Sequence, residues 1–400
     1  MSVRPLRIAI TNPTCWPQVR RGSERLLHEL SHWLAARGHA VTVISTEPGD
    51  RRVESDGPVR RVLLSQRDPL AVRGRGCNFF HRFGWQLRRV LCEDDYDAVH
   101  CLNYHDAGGA LLARRRGARF RLVYQLVGVP MRRYFRRIPL DGLLFRSVLR
   151  YADVVAGVSG HVTAGLRQEY GCEGRLLPPP TSMDAGAPIL KSPADGVLRI
   201  LFVGDLDEPR KGARLLAAAF ARVKQALPAA RLEYSGSASD AIRNAILAEV
   251  PEATRPDVIF HGVGFVEELP FLYARATVVV NPAVWEAIGM VLMEALATGT
   301  PVVGCDHAGT PDIVDRPGIG YLFPPGPIRQ AAATNVEGLS AAILRGVALA
   351  LRPETAAACR ARVEEFAWSQ LGPRYEAALA GTDPFEPTPT EKEAAGCSCS

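Results

Sequence analysis

Lysine is almost missing from this chain: of 48 basic residues only four are lysine, at positions 191, 211, 224 and 392. No apolar stretch approaches the roughly 18 residues that a membrane-spanning helix needs, so a spanning helix is excluded. The nine cysteines are scattered and form no C-x-x-C units, which removes a zinc ribbon or a disulfide framework and makes a reducing cytoplasm the expected setting. Cys397 and Cys399 stand in a polar tail where metal or lipid attachment competes with an incidental role. No G-x-G-x-x-G opens a helix, which argues against a nicotinamide oxidoreductase. Neither hydrophobic content (47%) nor charge (22%) departs from globular averages, so a disordered or collagenous chain is excluded, and 400 residues suit two packed domains. The net charge of +6 is unevenly placed: residues 51–150 hold 21 arginines, no lysine and nine acids, a net +12, leaving −6 for the rest. An anionic partner near the first half is expected, whether phosphate, nucleic acid or membrane surface.

Strand and helix signals alternate almost throughout. Ile8-Ala9-Ile10 runs into a turn at Thr11-Asn12-Pro13, which reads as a first strand rather than a signal peptide. Ser23 is the expected cap of a helix carrying Leu26, Leu27, Leu30, Trp33 and Leu34 at helical spacing, closed at Arg37-Gly38. Val41–Ser45, Ala98–Leu102, Arg121–Leu126 and Val154–Gly157 read as later strands. After a linker through Leu177–Pro180 and Asp184–Gly196, a second series follows: strands Leu198–Val203, Arg231–Ser235, Val258–Phe260, Val278–Asn281 and Pro301–Gly304, with a helix over Ala213–Ala226. Such alternation implies an α/β fold of two doubly wound parallel sheets, residues 1–185 and 186–365, with a disordered tail over 382–400. Ligands of such sheets bind beyond the carboxyl ends of the strands, which for two domains means the cleft between them.

Two segments carry chemistry. In Asn281–Ala295 a strand end is followed by a loop presenting Glu286, and Gly289 opens a helix carrying Glu294. Backbone N–H groups at such a helix start can hold phosphate oxygens. Eight residues on one helix would separate the carboxylates by about 12 Å, too far for the roughly 5 Å of a double-displacement pair, so they suit gripping different parts of one long ligand. An amphipathic helix with a capping acid would carry the same residues. In Phe202–Gly212, Arg210 and Lys211 follow a strand and precede a helix, where adjacent cations suit a diphosphate; a solvated turn is the plain alternative. His105, in Asn103-Tyr104-His105-Asp106, is placed on a strand-end loop where imidazole could meet an acceptor hydroxyl or simply face solvent, whereas His100 reads as a core residue. Arg132–Arg137 mixes cations with Tyr134 and Phe135, which fits membrane-surface docking, acceptor-anion binding or a solvated helix face.

Together these segments resemble the retaining family 4 glycosyltransferases, over about residues 6–381. Glu286-Ala-Ile-Gly-Met-Val-Leu-Met-Glu294 fits that family's E-x7-E motif and Arg210-Lys211-Gly212 its phosphate loop. Asp207–Gly212 is similar to the actinobacterial branch that glycosylates phosphatidylinositol, and Gly299–Val303 and Gly309 also fit. The resemblance implies the GT-B architecture of two Rossmann-like domains, with a helix over residues 366–381 crossing back to the first. It implies that Lys211 and Arg210 neutralise the nucleotide diphosphate, Glu294 accepts from the ribose, and Glu286 holds donor-sugar hydroxyls. Gly22, Gly204, Gly264, Ala287, Ile288, Gly289, Met290 and Val291 would line the donor. The first half departs from the pattern: Gly-Gly-x-Glu is Arg21-Gly22-Ser23-Glu24, the arginine expected after Gly204 is Asp205, and Asn-Gly-x-Asp reads Thr181-Ser182-Met183-Asp184. The position of a histidine often assigned to catalysis is Val127.

The implied activity is transfer of a sugar from a nucleotide-diphosphate donor such as a UDP- or GDP-sugar, with retention and no protein nucleophile. The diphosphate would deprotonate the acceptor unless His105 does. No acidic D-x-D pair is expected at a strand end, Asp94-Asp95 preceding one instead, and neither metal nor other cofactor is expected. The expected acceptor is a polar small molecule such as an aminocyclitol or another secondary-metabolite (antibiotic-type) core. A phosphatidylinositol or other lipid at the membrane surface, met through the arginine-rich first half, is the alternative. A catalytically weak scaffold homologue, motivated by Arg21 and Val127, is a second alternative, and nucleic acid is not an expected partner.

Overall fold

The computed structural model describes residues 4–19, 21–66, 78–181, 196–264 and 268–382. The linker up to residue 195, Ser182–Asp184, Cys77, and the tail from 383 with Cys397 and Cys399 lie outside these residues. The chain forms two compact units. The first takes Met1–Val158, Thr163–Pro180 and Trp368–Ser400, the second Ser159–Val162 and Thr181–Ala367.

The first unit contains strands β1 (Arg7–Thr11), β2 (Ala40–Glu47), β3 (Arg52–Asp56), β4 (Val59–Ser65), β5 (Ala98–Cys101), β6 (Arg121–Leu126), β7 (Val154–Gly157) and β8 (Arg175–Leu176). Its helices are α1 (Gly22–Ala36), α2 (Phe79–Glu93), α3 (Tyr104–Arg114), α4 (Arg132–Phe135), α5 (Pro139–Tyr151) and α6 (Gly160–Tyr170). The sheet order is β3-β4-β2-β1-β5-β6-β7-β8, parallel except for the β3–β4 hairpin. Helix α1 buries Leu26, Leu27, Leu30 and Leu34 against β1 and β2, one stripe at 3.6-residue spacing. Its start corrects the sequence reading: Arg21, not Ser23, is at the cap position, because the Ser23 hydroxyl donates to the Glu24 carboxylate at 2.9 Å.

The second unit contains β9 (Leu198–Val203), β10 (Ala230–Ser235), β11 (Val258–Gly262), β12 (Val278–Asn281), β13 (Val302–Cys305) and β14 (Gly320–Phe323). Its helices are α7 (Ala213–Ala226), α8 (Asp240–Ala248), α9 (Leu269–Arg275), α10 (Met290–Ala297), α11 (Val336–Ala350) and α12 (Thr355–Glu364). The order β11-β10-β9-β12-β13-β14 is wholly parallel, so its central strands are covered on both faces and read as apolar runs such as Ile200-Leu201-Phe202. Strand order reverses between β9 and β12, which pair in register from Val278 opposite Ile200.

The last described helix, α13 (Trp368–Ala380), belongs to the first unit. Tyr375, Ala378 and Leu379 join that unit's core, and the buried Tyr375 hydroxyl accepts from Gln125 Nε2 at 2.7 Å while donating toward the Pro178 carbonyl at 3.1 Å. Trp368 stacks on Trp33 with ring centres 5.7 Å apart. No helix among the described residues is long and apolar enough to cross a membrane.

Candidate functional site

The reversal between β9 and β12 leaves a crevice at their carboxyl ends, the place where doubly wound sheets take ligands. The loop after β9 passes Gly204 and ends in a single 3-10 turn, Pro209–Lys211. Gly212 follows at φ 74°, and a Cβ there would come within 3.2 Å of the Pro282 carbonyl oxygen, so glycine lets the two loops touch. The Val284 N–H donates to the Arg210 carbonyl at 3.0 Å and fastens the loop after β12 to the loop after β9.

That fastening brings Arg210, Lys211 and Glu286 together. Lys211 Nζ donates to Glu286 Oε1, and Arg210 Nη1 to Oε2 at 3.0 Å. Burial alone would push the Glu286 carboxyl up, but the adjacent Lys211 and Arg210 outweigh it and hold it below the usual carboxylate range. Burial works against the Arg210 charge too, but Glu286 and Glu208 raise its pKa overall. Glu208, to which Arg210 Nε donates at 2.5 Å, is a member of the group that sequence reasoning left without a role.

The backbone carrying Glu286 is over-determined. Trp285 sits at φ 61°, a left-handed conformation costing a bulky residue about 1–3 kcal/mol. Its N–H donates to His307 Nδ1 at 3.2 Å and its ring meets the His307 ring edge-on at 4.4 Å. Gly309 N–H donates to the Glu286 carbonyl at 2.8 Å, and a Cβ on Gly309 would lie 1.9 Å from the Ala287 carbonyl oxygen. Ala287, Ile288 and Gly289 then lead into α10, whose first turn begins with Met290 and Val291. Helix starts of this kind present N–H groups without intrahelical partners. Glu294, in the second turn, is buried and accepts from the Tyr273 hydroxyl at 2.6 Å. Glu286 lies outside the helix, so helical spacing does not set the separation of the two glutamates. Gly264 lies just past β11, two strands away from β9.

Asp205-Leu206-Asp207 is a D-x-D just past β9, which corrects the expectation that no such pair stands at a strand end. Its carboxylates are turned to local backbone: Asp205 Oδ1 accepts from Asp207 N–H at 3.1 Å, and Asp207 Oδ2 from Ser239 N–H at 2.8 Å.

In the first unit Gly22 is exposed at the start of α1, and Val127 packs against the core. His105 is not on a loop, as its sequence context implied, but in the first turn of α3, because Asn103 caps that helix by accepting from the His105 N–H at 3.0 Å. Its ring is buried against Tyr104 and Phe80, and burial together with neighbouring His81 lowers its pKa to about 4. His100 is also buried, 5.9 Å from the Tyr375 ring, with its pKa lowered to about 4 by burial.

Residues 20–183 match the family model described as Glycosyltransferase Family 4, and residues 197–345 the model described as Glycosyl transferases group 1. The chain is 30% identical over 381 residues to a phosphatidyl-myo-inositol mannosyltransferase of Mycobacterium tuberculosis, covering 91% of this chain and 94% of that one. It is 29% identical over 347 residues to a GDP-mannose-dependent alpha-mannosyltransferase of the same organism, covering 80% and 84%. Among solved structures, a sucrose-phosphate synthase of Thermosynechococcus elongatus superposes with TM-score 0.76 at 25% identity, covering 94% of this chain and 99% of the other. An alpha,alpha-trehalose 6-phosphate synthase of Burkholderia multivorans does so with TM-score 0.72 at 14% identity, covering 99% of each chain. Both likenesses support the GT-B architecture of two parallel-sheet α/β domains.

Proposed function

Because this chain belongs to the family 4 glycosyltransferases, we propose that it moves a sugar, with retention, from a nucleotide-diphosphate donor to an acceptor hydroxyl. The observation that carries this is the Arg210–Lys211–Glu286 group at the strand-order reversal of the second unit. Two fixed cations beside a helix start suit a leaving diphosphate, whose charge grows as the sugar–oxygen bond breaks. The acceptor oxygen then bonds the anomeric carbon on the face the phosphate leaves, and the hydroxyl proton passes to a phosphate oxygen. Glu286, released from the cations when the diphosphate takes its place, holds donor-sugar hydroxyls, and Glu294 the ribose. With two cations supplied, no metal on the diphosphate belongs to this reading. A GDP-sugar, GDP-mannose first, is the donor to try, in keeping with the relative whose name specifies it.

For the acceptor, a hydroxyl on a lipid headgroup is favoured over a polar small molecule by one surface. On α4 and α5, Tyr134, Leu140 and Leu143 are 60%, 78% and 61% exposed; Tyr134 lies between the exposed pairs Arg132-Arg133 and Arg136-Arg137, and the two leucines follow them. Apolar side chains set among arginines suit an anionic membrane interface. The name of the phosphatidyl-myo-inositol relative points the same way. The test incubates the protein with GDP-mannose and either phosphatidylinositol vesicles or a soluble cyclitol such as free inositol, with products read by mass spectrometry. Mannosylated lipid supports the lipid acceptor, and mannosylated cyclitol alone supports the small molecule. No nucleoside-diphosphate release from GDP-, UDP-, ADP- or dTDP-sugars with any acceptor would leave the scaffold reading.

A further inference from the structure

The first unit holds a second constellation that sugar transfer, as argued above, does not use. Helices α2, α3 and α5 follow β4, β5 and β6, and each brings one polar side chain from its first turn to a common point: His81, His105 and Asp141. His81 Nε2 lies 2.7 Å from Asp141 Oδ1 and His105 Nε2 3.4 Å from Oδ2. One donor atom from each residue lies within 4.8 Å of the others. His105 and Asp141 are 5% and 6% exposed, while the His81 ring keeps 24% of its surface open.

The hydrogen bond on the far side of the His105 ring fixes which of its nitrogens carries the proton. Asn103 Oδ1 accepts from the His105 N–H and lies 2.8 Å from His105 Nδ1. An amide oxygen accepts and does not donate, so Nδ1 bears the hydrogen and the Nε2 lone pair points inward. His81 differs: in a capping box at the start of α2, Asn78 Oδ1 accepts from the Phe80 N–H at 3.0 Å, and the Asn78 N–H donates to His81 Nδ1 at 3.3 Å. His81 Nε2 therefore donates to Asp141 and would give up that hydrogen to an ion, whereas the His105 Nε2 lone pair is already bare, buried with no hydrogen-bond partner. A buried imidazole lone pair turned toward a carboxylate is unfavourable unless a positive centre stands between them.

We propose that His81, His105 and Asp141 bind one divalent first-row transition ion of the zinc class, with a fourth position left for an oxygen ligand. Two imidazoles and a carboxylate without thiolate suit such an ion better than calcium or magnesium, which prefer all-oxygen shells. Tetrahedral bonds of about 2.0–2.1 Å would set the donor atoms roughly 3.3 Å apart, between the two separations observed. The supporting bonds are those a metal site uses: the His105 Nδ1–H is held by the Asn103 oxygen, and the Tyr104 hydroxyl donates to Asp141 Oδ2 at 2.9 Å. A second group, His28, His32 and Asp56, is half-exposed and looser, with 3.6 and 3.7 Å contacts, and serves as an internal control.

The test uses the full chain without a polyhistidine tag, stripped by a chelator and titrated with Co²⁺ while visible absorption is recorded. A d–d band saturating at one equivalent and displaced by Zn²⁺ is expected. His81→Gln and His105→Gln should each weaken binding by at least about a hundredfold, more than the 10–100-fold that outer-shell changes cost. The His28→Gln/His32→Gln double variant should keep the band. Should either ligand variant fail to fold by circular dichroism, Tyr104→Phe, which keeps all three ligands, decides the matter with an expected affinity loss of about tenfold or more. No saturable band, a band lost with His28 and His32 instead, or unchanged affinity in Tyr104→Phe would overturn the assignment.

Discussion

Replacing Glu286 by glutamine keeps the shape of the side chain and removes the charge that Arg210 and Lys211 share. Breaking a buried ion pair from one side typically costs about 3–5 kcal/mol. Here the cost is smaller, because the Arg210 and Lys211 side chains are 30% and 16% exposed and Arg210 keeps Glu208 as a partner. Glutamine also retains one hydrogen bond, so a loss of about 2 kcal/mol at pH 7 is expected. The pH dependence follows from the lowered pKa of Glu286 in the folded chain. A depressed carboxylate stabilises the fold fully above its ordinary pKa of about 4.3 and loses that contribution as the pH falls through its folded value. The variant has no such group, so the gap between wild type and Glu286→Gln should be full at pH 7 and shrink below about pH 4.3. Urea unfolding of the second unit, followed by pulsed hydrogen exchange on peptides from β9 and β12, would measure it. The same variant removes the Glu286 charge from both cations, so it should bind a nucleoside diphosphate no more weakly than wild type while turnover falls about a hundredfold or more. Equal stability at pH 7, or a gap that does not close on acidification, would refute the pairing as the organiser of this site.

Lys211→Ala should lower turnover by about two to three orders of magnitude, the usual cost of one preorganised donor, and steady-state kinetics with the donor sugar would read it. Nucleoside-diphosphate affinity, measured by calorimetry, should be the same with and without EDTA if the cations alone hold the diphosphate. Glu294→Ala should weaken nucleotide binding by about 1–3 kcal/mol for lost charge-assisted hydrogen bonds, read by the same calorimetry. Gly309→Ala puts a methyl group 1.9 Å from the Ala287 carbonyl, so it should displace the Glu286 loop and lower kcat without removing any charged group.

Strand signals translated well where apolar runs are bounded by turn residues. Leu198–Val203 and Val278–Asn281 hold as read from the sequence, because a parallel strand covered on both faces needs a continuous apolar run. Helix starts translated less well. Ser23 satisfies the usual cap preference, but its hydroxyl is taken by Glu24, and His105 was assigned to a loop because the cap that starts its helix is the neighbouring Asn103. At the candidate site, Arg210, Lys211 and Glu286 were each legible from local pattern, and the structure brings their side chains together. Tyr273 beneath Glu294 and His307 beside Trp285 were not, since each comes from a different strand–helix unit and carries no local signature. His81 and Asp141 were missed for the same reason: their meeting depends on the first turns of three separate helices, α2, α3 and α5, coming together.

The placement of α13 reverses the usual order of events during synthesis. A ribosome delivers all eight strands of the first unit's sheet, then the whole second unit, before Tyr375, Ala378 and Leu379 emerge to close the first unit's core. At about 5–20 residues per second that interval is on the order of 10–40 seconds. Throughout it, Gln125 Nε2 and the Pro178 carbonyl lack the Tyr375 hydroxyl that later joins them. The half of the protein that is made first is therefore the last to finish folding, and a stop codon ahead of Trp368 would damage the amino-terminal half rather than the carboxyl-terminal one. A stand-alone first unit should be built by joining residue 180 to residue 368 through a short linker, not by ending the chain at 180.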